Sequence, residues 1–303
     1  MVPGEGGRLA CVPVNCGDRL HPYRCEKGQF AMTQNQPSAT PDAPLVRSSV
    51  DRAIATITLD SPRNRNALSA RLRTDLSKAL SDAMADDEVR AIVLTGNGPV
   101  FCAGADLKEI AATLAGEPVE PAPELPEIFE QIMGGPKPVV AVLNGAARAG
   151  GIGLVAAADI ALAPKSTTFA FTEVRIGVVP AIISIPVSAR VHSRQLSRYF
   201  LTGELFDASA AAEAGLITEA VPDREMDDTV DTVLRGLRGA APRALSRTKA
   251  LVGELSGGAQ AAPERRGEAF TRMGELSAEY FAAEDAAEGR TAFFEKRPPH
   301  WAR

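Results

Sequence analysis

Phe101-Cys102-Ala103-Gly104-Ala105-Asp106-Leu107-Lys108 and, further along, Asn144-Gly145-Ala146-Ala147-Arg148-Ala149-Gly150-Gly151 are two small-residue turns, each between an apolar run and a segment of helical spacing. A turn built from Gly and Ala lets a ligand reach the backbone N–H groups without side chains intervening. One such turn is ordinary helix-start geometry. Two of them can form a two-donor pocket for a carbonyl oxygen, the part needed to stabilise an oxyanion or enolate.

Around these turns the pattern is regular. Ala53 to Leu59 alternates and is rich in β-branched residues, which predicts a strand. Ser69 is placed to cap a helix through Met84, with Leu72, Leu76, Ala79, Leu80 and Ala83 on one face. Arg90 to Thr95 reads as a buried strand ending at Gly96, and Val139 to Leu143 repeats that design. Strands separated by helical stretches imply a parallel or mixed α/β arrangement. Gly116 to Pro126, with four prolines and three glutamates, reads as a loop flanking the site, and Ala-, Leu-, Glu- and Arg-rich helices follow from Asp227, punctuated by Gly257-Gly258 and Pro263.

The chain resembles the crotonase superfamily, the enoyl-CoA hydratase/isomerase family. The matches run in order: Ser61 to Ser69, Ala91 to Gly96, Phe101 to Lys108, Pro136 to Gly145, Ala158-Asp159-Ile160, Phe171 to Gly177 and Tyr199 to Glu204, with a tail at Ala292 to Arg297. The resemblance covers Leu45 to Trp301. It implies an α/β fold, a crotonase-like spiral of ββα units with a C-terminal helical region. The boundaries expected are an arm over residues 1–44, a spiral core over 45–226 and helices for oligomerisation and CoA contact over 227–303.

The same resemblance implies the chemistry. The thioester carbonyl of an acyl-CoA would accept hydrogen bonds from the N–H groups of Ala105 and Gly150, and Glu173 would serve as the acid/base toward the α-carbon. Glu173 lies between apolar segments, where desolvation disfavours its charged form. The position matching the other glutamate of two-glutamate hydratases is Gly153. A hydratase working with Glu173 alone is therefore the leading expectation, with a 3-enoyl-CoA to 2-enoyl-CoA isomerase or an inactive acyl-CoA-binding homologue as alternatives. Restoring a carboxylate at position 153 is expected to give at best a modest gain in hydration.

For the nucleotide, the resemblance implies phosphate contacts from Arg63, Arg65 and Lys296, backbone around adenine from Ala103, Asp106, Leu107 and Lys108, and Phe293 beside them. The Asp106 and Asp159 side chains are read as turn and helix-cap groups. Acyl-pocket shape is expected from Ile110 to Met133 and Ile182 to Val187. The implied setting is cytoplasmic fatty-acid metabolism, with the chain in homotrimers or dimers of trimers. Coenzyme A belongs to the substrate, so no separate cofactor is expected.

Composition fits these expectations. The 303 residues are 45% hydrophobic, enough for a sizeable core, and a net charge of -5 argues against nucleic acid as a partner. No run of eighteen apolar residues predicts a membrane span. Cys11, Cys16 and Cys25, with His21, lack the paired spacing of common zinc sites, so no metal is expected. His192 and His300 are too scattered for a histidine-based cluster. The first forty residues read as disordered, and Met32 is an alternative start.

Overall fold

Arg52 and Ala53, with φ of 44° and 64°, close a two-residue hairpin between β1 (Val46–Asp51) and β2 (Ile54–Leu59). Positive φ at both turn residues matches the twist of the flanking strands. Ala53, expected in the strand, is thus a turn residue. These elements come from a computed structural model that describes residues 43–118, 120–256 and 263–302. Most of the expected arm, with Cys11, Cys16, Cys25, His21 and Met32, lies outside the described residues, as do Gly257 and Gly258.

From β2 the chain passes through α1 (Ala70–Ala85) and then alternates between two sheets. β3 (Ala91–Gly96) joins the first sheet and β4 (Val100–Cys102) the second. After α2 (Leu107–Leu114) and α3 (Leu125–Gly134), β5 (Val139–Val142) and β6 (Ala146–Arg148) repeat the step. After α4 (Gly150–Ala157), β7 (Ile160–Pro164) and β8 (Thr168–Ala170) do so again. With β9 (Phe206–Asp207) and β10 (Glu219–Val221), the sheets have the orders β1-β2-β3-β5-β7-β10 and β4-β6-β8-β9. Pairings between successive repeats are parallel, Val93 opposite Val140 and Val140 opposite Ile160. This is the expected spiral of ββα units.

Apolar periodicity makes each layer. In α1, Leu72, Leu76 and Leu80 are fully buried against Ile57, Leu59, Ile92 and Leu94, and the Ser69 hydroxyl accepts from Leu72 N–H. α4 is apolar on every side and wholly buried, as a helix between layers must be. Leu125 and Pro126, expected in the loop, instead open α3, since proline suits the first helical turn. Between β8 and β9 lie α5 (Ala181–Ser188) and α6 (Ser193–Thr202), followed by α7 (Ala208–Glu213). The carboxyl-terminal helices are α8 (Met226–Gly239), α9 (Pro242–Ser256), α10 (Pro263–Ala282) and α11 (Glu284–Glu295).

Two polar pins lock the spiral. Asn66 is fully buried, accepts from Ser61 N–H at 2.8 Å, and donates to the carbonyls of Asn97, Val100 and Phe101 at 3.0, 2.8 and 3.1 Å. Asp159 does not cap a helix. It accepts Val139 N–H at 2.8 Å and pairs with buried Lys249 at 2.9 Å, joining α9 to the main sheet.

Candidate active site

The two small-residue turns meet. Gly104 has φ 87°, and a Cβ there would lie 2.8 Å from Ala149 Cβ and 3.1 Å from Gly150 N. Only glycine permits both that backbone conformation and that approach. In the first turn, Ala103 N–H donates to Arg65 O at 3.0 Å and Gly104 O accepts from Leu68 N–H at 2.8 Å, so both groups are spent on the fold. Gly104 N–H faces the Cys102 thiol, and Ala105 N–H, the donor after it, has no acceptor among the described residues. Gly150 opens α4, so its N–H has no intrahelical acceptor either.

Ala105 and Gly150 line one cavity of about 590 Å³. Glu173 lines it too, at the head of a tight turn, Glu173–Ile176. Gly177 closes that turn with φ 73°, and a Cβ there would strike Asp285 at 2.4 Å, so the start of α11 packs hard against it. Phe171 stands edge-on to Phe200, centroids 4.7 Å apart, and fixes the approach from β8.

Glu173 is 9% exposed and its Oε2 has no hydrogen-bond partner. Burial raises its pKa to about 7, opposed only by a backbone hydrogen bond at Glu173 itself. A carboxyl group poised there exchanges protons readily near neutrality. The other acids near the first turn serve the fold. Glu109 accepts Ala70 N–H at 3.0 and 2.8 Å, Glu124 pairs with Arg73 at 3.2 Å, and Glu130 with Arg266 at 2.8 Å. Cys102 is no nucleophile, since burial pushes its thiol up to about 12.

Gly153 does not line the cavity. A Cβ on it would lie 2.4 Å from Phe129 Cζ and 3.0 Å from Ile183 Cγ2. A glutamate there would have to displace this aromatic ring before its carboxylate could reach the cavity.

The residues expected around the nucleotide mostly converge. Arg63, Arg65, Ala103, Asp106, Leu107, Lys108 and Phe293 all line the cavity. The Asp106 side chain caps α2, accepting Lys108 N–H at 3.0 Å and Glu109 N–H at 3.4 Å, and also accepts from Asn64 Nδ2 at 2.8 Å. Lys296 is not brought in. It is the C-cap of α11 in the left-handed region, φ 55°, and lies outside the lining. Of the segments expected to shape the acyl end, Leu125, Ile182 and Ile183 contribute.

Arg148, Arg175, Ser277 and Phe281 also line the cavity, though sequence reasoning did not single them out. Arg148 donates to Thr168 Oγ1 at 2.9 Å and Arg175 to Thr202 O at 3.3 Å. The signal for both arginines was adjacency to Gly150 and Glu173. No cluster of three His, Cys, Asp or Glu side chains among the described residues could hold a metal.

The comparisons with known proteins agree with this geometry. The sequence profile described as enoyl-CoA hydratase/isomerase matches residues 49–303. The chain is 36% identical over 266 residues to the "Probable enoyl-CoA hydratase" of Rhodobacter capsulatus, covering 84% of this chain and 97% of that one. It is 32% identical to the human "Enoyl-CoA hydratase domain-containing protein 3, mitochondrial", covering 82% and 80%. A crystal structure of an enoyl-CoA hydratase from Mycobacterium avium superposes with a TM-score of 0.74 at 40% identity, covering 86% of this chain and 99% of the other. Fold, site and sequence together make this chain a member of the enoyl-CoA hydratase/isomerase family, within the crotonase superfamily.

Proposed function

We propose that the protein hydrates 2-trans-enoyl-CoA thioesters with Glu173 as its single acid/base. The observation that carries this reading is the unpartnered, buried Oε2 of Glu173 in the cavity that also receives Ala105 and Gly150. The thioester oxygen accepts from Ala105 N–H and Gly150 N–H. The Glu173 carboxylate takes a proton from water as its oxygen bonds to the β-carbon, and electrons move onto the thioester oxygen to give an enolate. The Glu173 carboxyl then returns the proton to the α-carbon and recovers its charge. Each oxyanion donor contributes roughly 3 kcal/mol to the barrier reduction. Arg63, Arg65 and Lys108 are suited to the phosphates, because cations at the cavity wall offset the charge of the nucleotide.

One observation favours a second reading. Phe129 fills the place of another carboxylate beside Gly153, and isomerisation of a 3-enoyl to a 2-enoyl thioester needs only one group to move a proton between carbons. Assaying crotonyl-CoA and 3-hexenoyl-CoA in parallel separates the two. Loss of the conjugated-thioester absorbance from the first means hydration, and its appearance from the second means isomerisation. Turnover of neither substrate, with binding retained, would overturn both in favour of an acyl-CoA-binding role. The reading extends to homotrimers or dimers of trimers, with Lys296 reaching a neighbouring subunit's ligand. A fully active monomer in sedimentation would remove that extension.

A further inference from the structure

α10 presents one face to the body of the protein. Arg266, Ala269 and Phe270 are buried on it, Met273 packs against the core, and Phe281 ends it at the cavity. Ser277 stands on the same stripe, seven residues beyond Phe270, where the period calls for an apolar side chain. It is 8% exposed and lines the cavity.

A serine in a helix normally settles its hydroxyl on the carbonyl one turn back. Thr271 and Thr291 do this, donating to Gly267 O at 3.0 Å and Ala287 O at 2.9 Å. Ser277 makes no hydrogen bond among the described residues. α10 packs closely on α5, whose Ile182 and Ile183 belong to the same cavity wall. The result is a hydroxyl with no protein partner, open to the cavity and able to donate and to accept, on an otherwise apolar stretch of wall.

We propose that Ser277 reads an oxygen on the acyl chain, so that the preferred substrate is an acyl-CoA bearing a hydroxyl or keto group away from its thioester. This rests on reading the cavity as an acyl-CoA site. A plain alkyl chain laid against Ser277 displaces water and leaves the hydroxyl unpaired, whereas an oxygenated chain satisfies it. A pocket that hydrogen-bonds its substrate rejects the analogue lacking that group.

The test is calorimetric binding by the full chain of octanoyl-CoA and of its singly hydroxylated and keto isomers, repeated with Ser277→Ala. At least one oxygenated isomer should bind about tenfold tighter than octanoyl-CoA. Ser277→Ala should erase that preference while binding octanoyl-CoA at least as well, a change that a purely structural serine would not produce. Equal binding of all the ligands, or a preference that survives Ser277→Ala, overturns the inference alone. Binding of none of them overturns the acyl-CoA reading and the inference with it.

Discussion

The ring of Phe129 stands where any side chain at position 153 would have to go: a Cβ on Gly153 would come within 2.4 Å of Phe129 Cζ. Phe129 is fully buried and packs on Phe270 of α10, centroids 6.3 Å apart, so it has nowhere to retreat. Of the two carboxyl side chains that line the cavity, Asp106 is spent on capping α2, so the proposed acid/base is Glu173 alone.

Gly153→Glu should therefore fail to install a second acid. Overpacking of this kind costs about 1–3 kcal/mol, and a buried unpaired carboxylate adds to it. The expected result is a lower melting temperature with no gain in hydration. Thermal melting and rate measurement on the same preparation check both halves.

Gly150→Pro should separate folding from catalysis. Proline is tolerated at the first position of a helix, and the side chains it would meet are the flexible ends of Leu68 and Leu125 at 3.1 and 3.4 Å. It removes the donor N–H, so kcat should fall roughly 10²–10³-fold. Circular dichroism should show a folded protein, and normal turnover would eliminate Gly150 as a donor.

Much of this site was legible in the sequence, because turns and caps are local. Ser69 at the head of α1, the Gly104-Ala105 turn and the Gly150 helix start all lie within a few residues of the pattern that betrays them. The second sheet was not legible: β4, β6 and β8 are three residues each, too short to show alternation. The packing of Phe129 on Gly153 was hidden for another reason, as it joins residues on different helices. Asn66 sits beside Arg63 and Arg65 in the Ser61 to Ser69 match, and only the fold reveals the carbonyls it holds.

Asn66→Ala should be costly for that reason. It leaves three carbonyls and one N–H without their partner in a buried place, and the loss is expected at roughly 2–4 kcal/mol, more than a single hydrogen bond. Because the pin holds β4 just ahead of Ala105, kcat should fall as well. Denaturant unfolding and steady-state rates measure the two effects.

The raised pKa of Glu173 has a sign for stability and one for rate. The folded state holds this proton more tightly than the unfolded chain, so the stabilising contribution is complete below the unfolded value near 4.5 and is lost as pH rises to about 7. Glu173→Gln should accordingly be more stable than the parent above neutrality, with the difference vanishing in acid. The hydration rate should move the other way and rise with pH through about 7, since the carboxylate must receive the proton from water.

Acyl-CoA binding and turnover by Glu173→Gln is the most direct test of Glu173 as the single acid/base. Glutamine keeps the shape and reach of glutamate but cannot exchange a proton. The variant should bind acyl-CoA like the parent and turn over neither crotonyl-CoA nor 3-hexenoyl-CoA. A Glu173→Gln protein that hydrates or isomerises at a near-normal rate would contradict it.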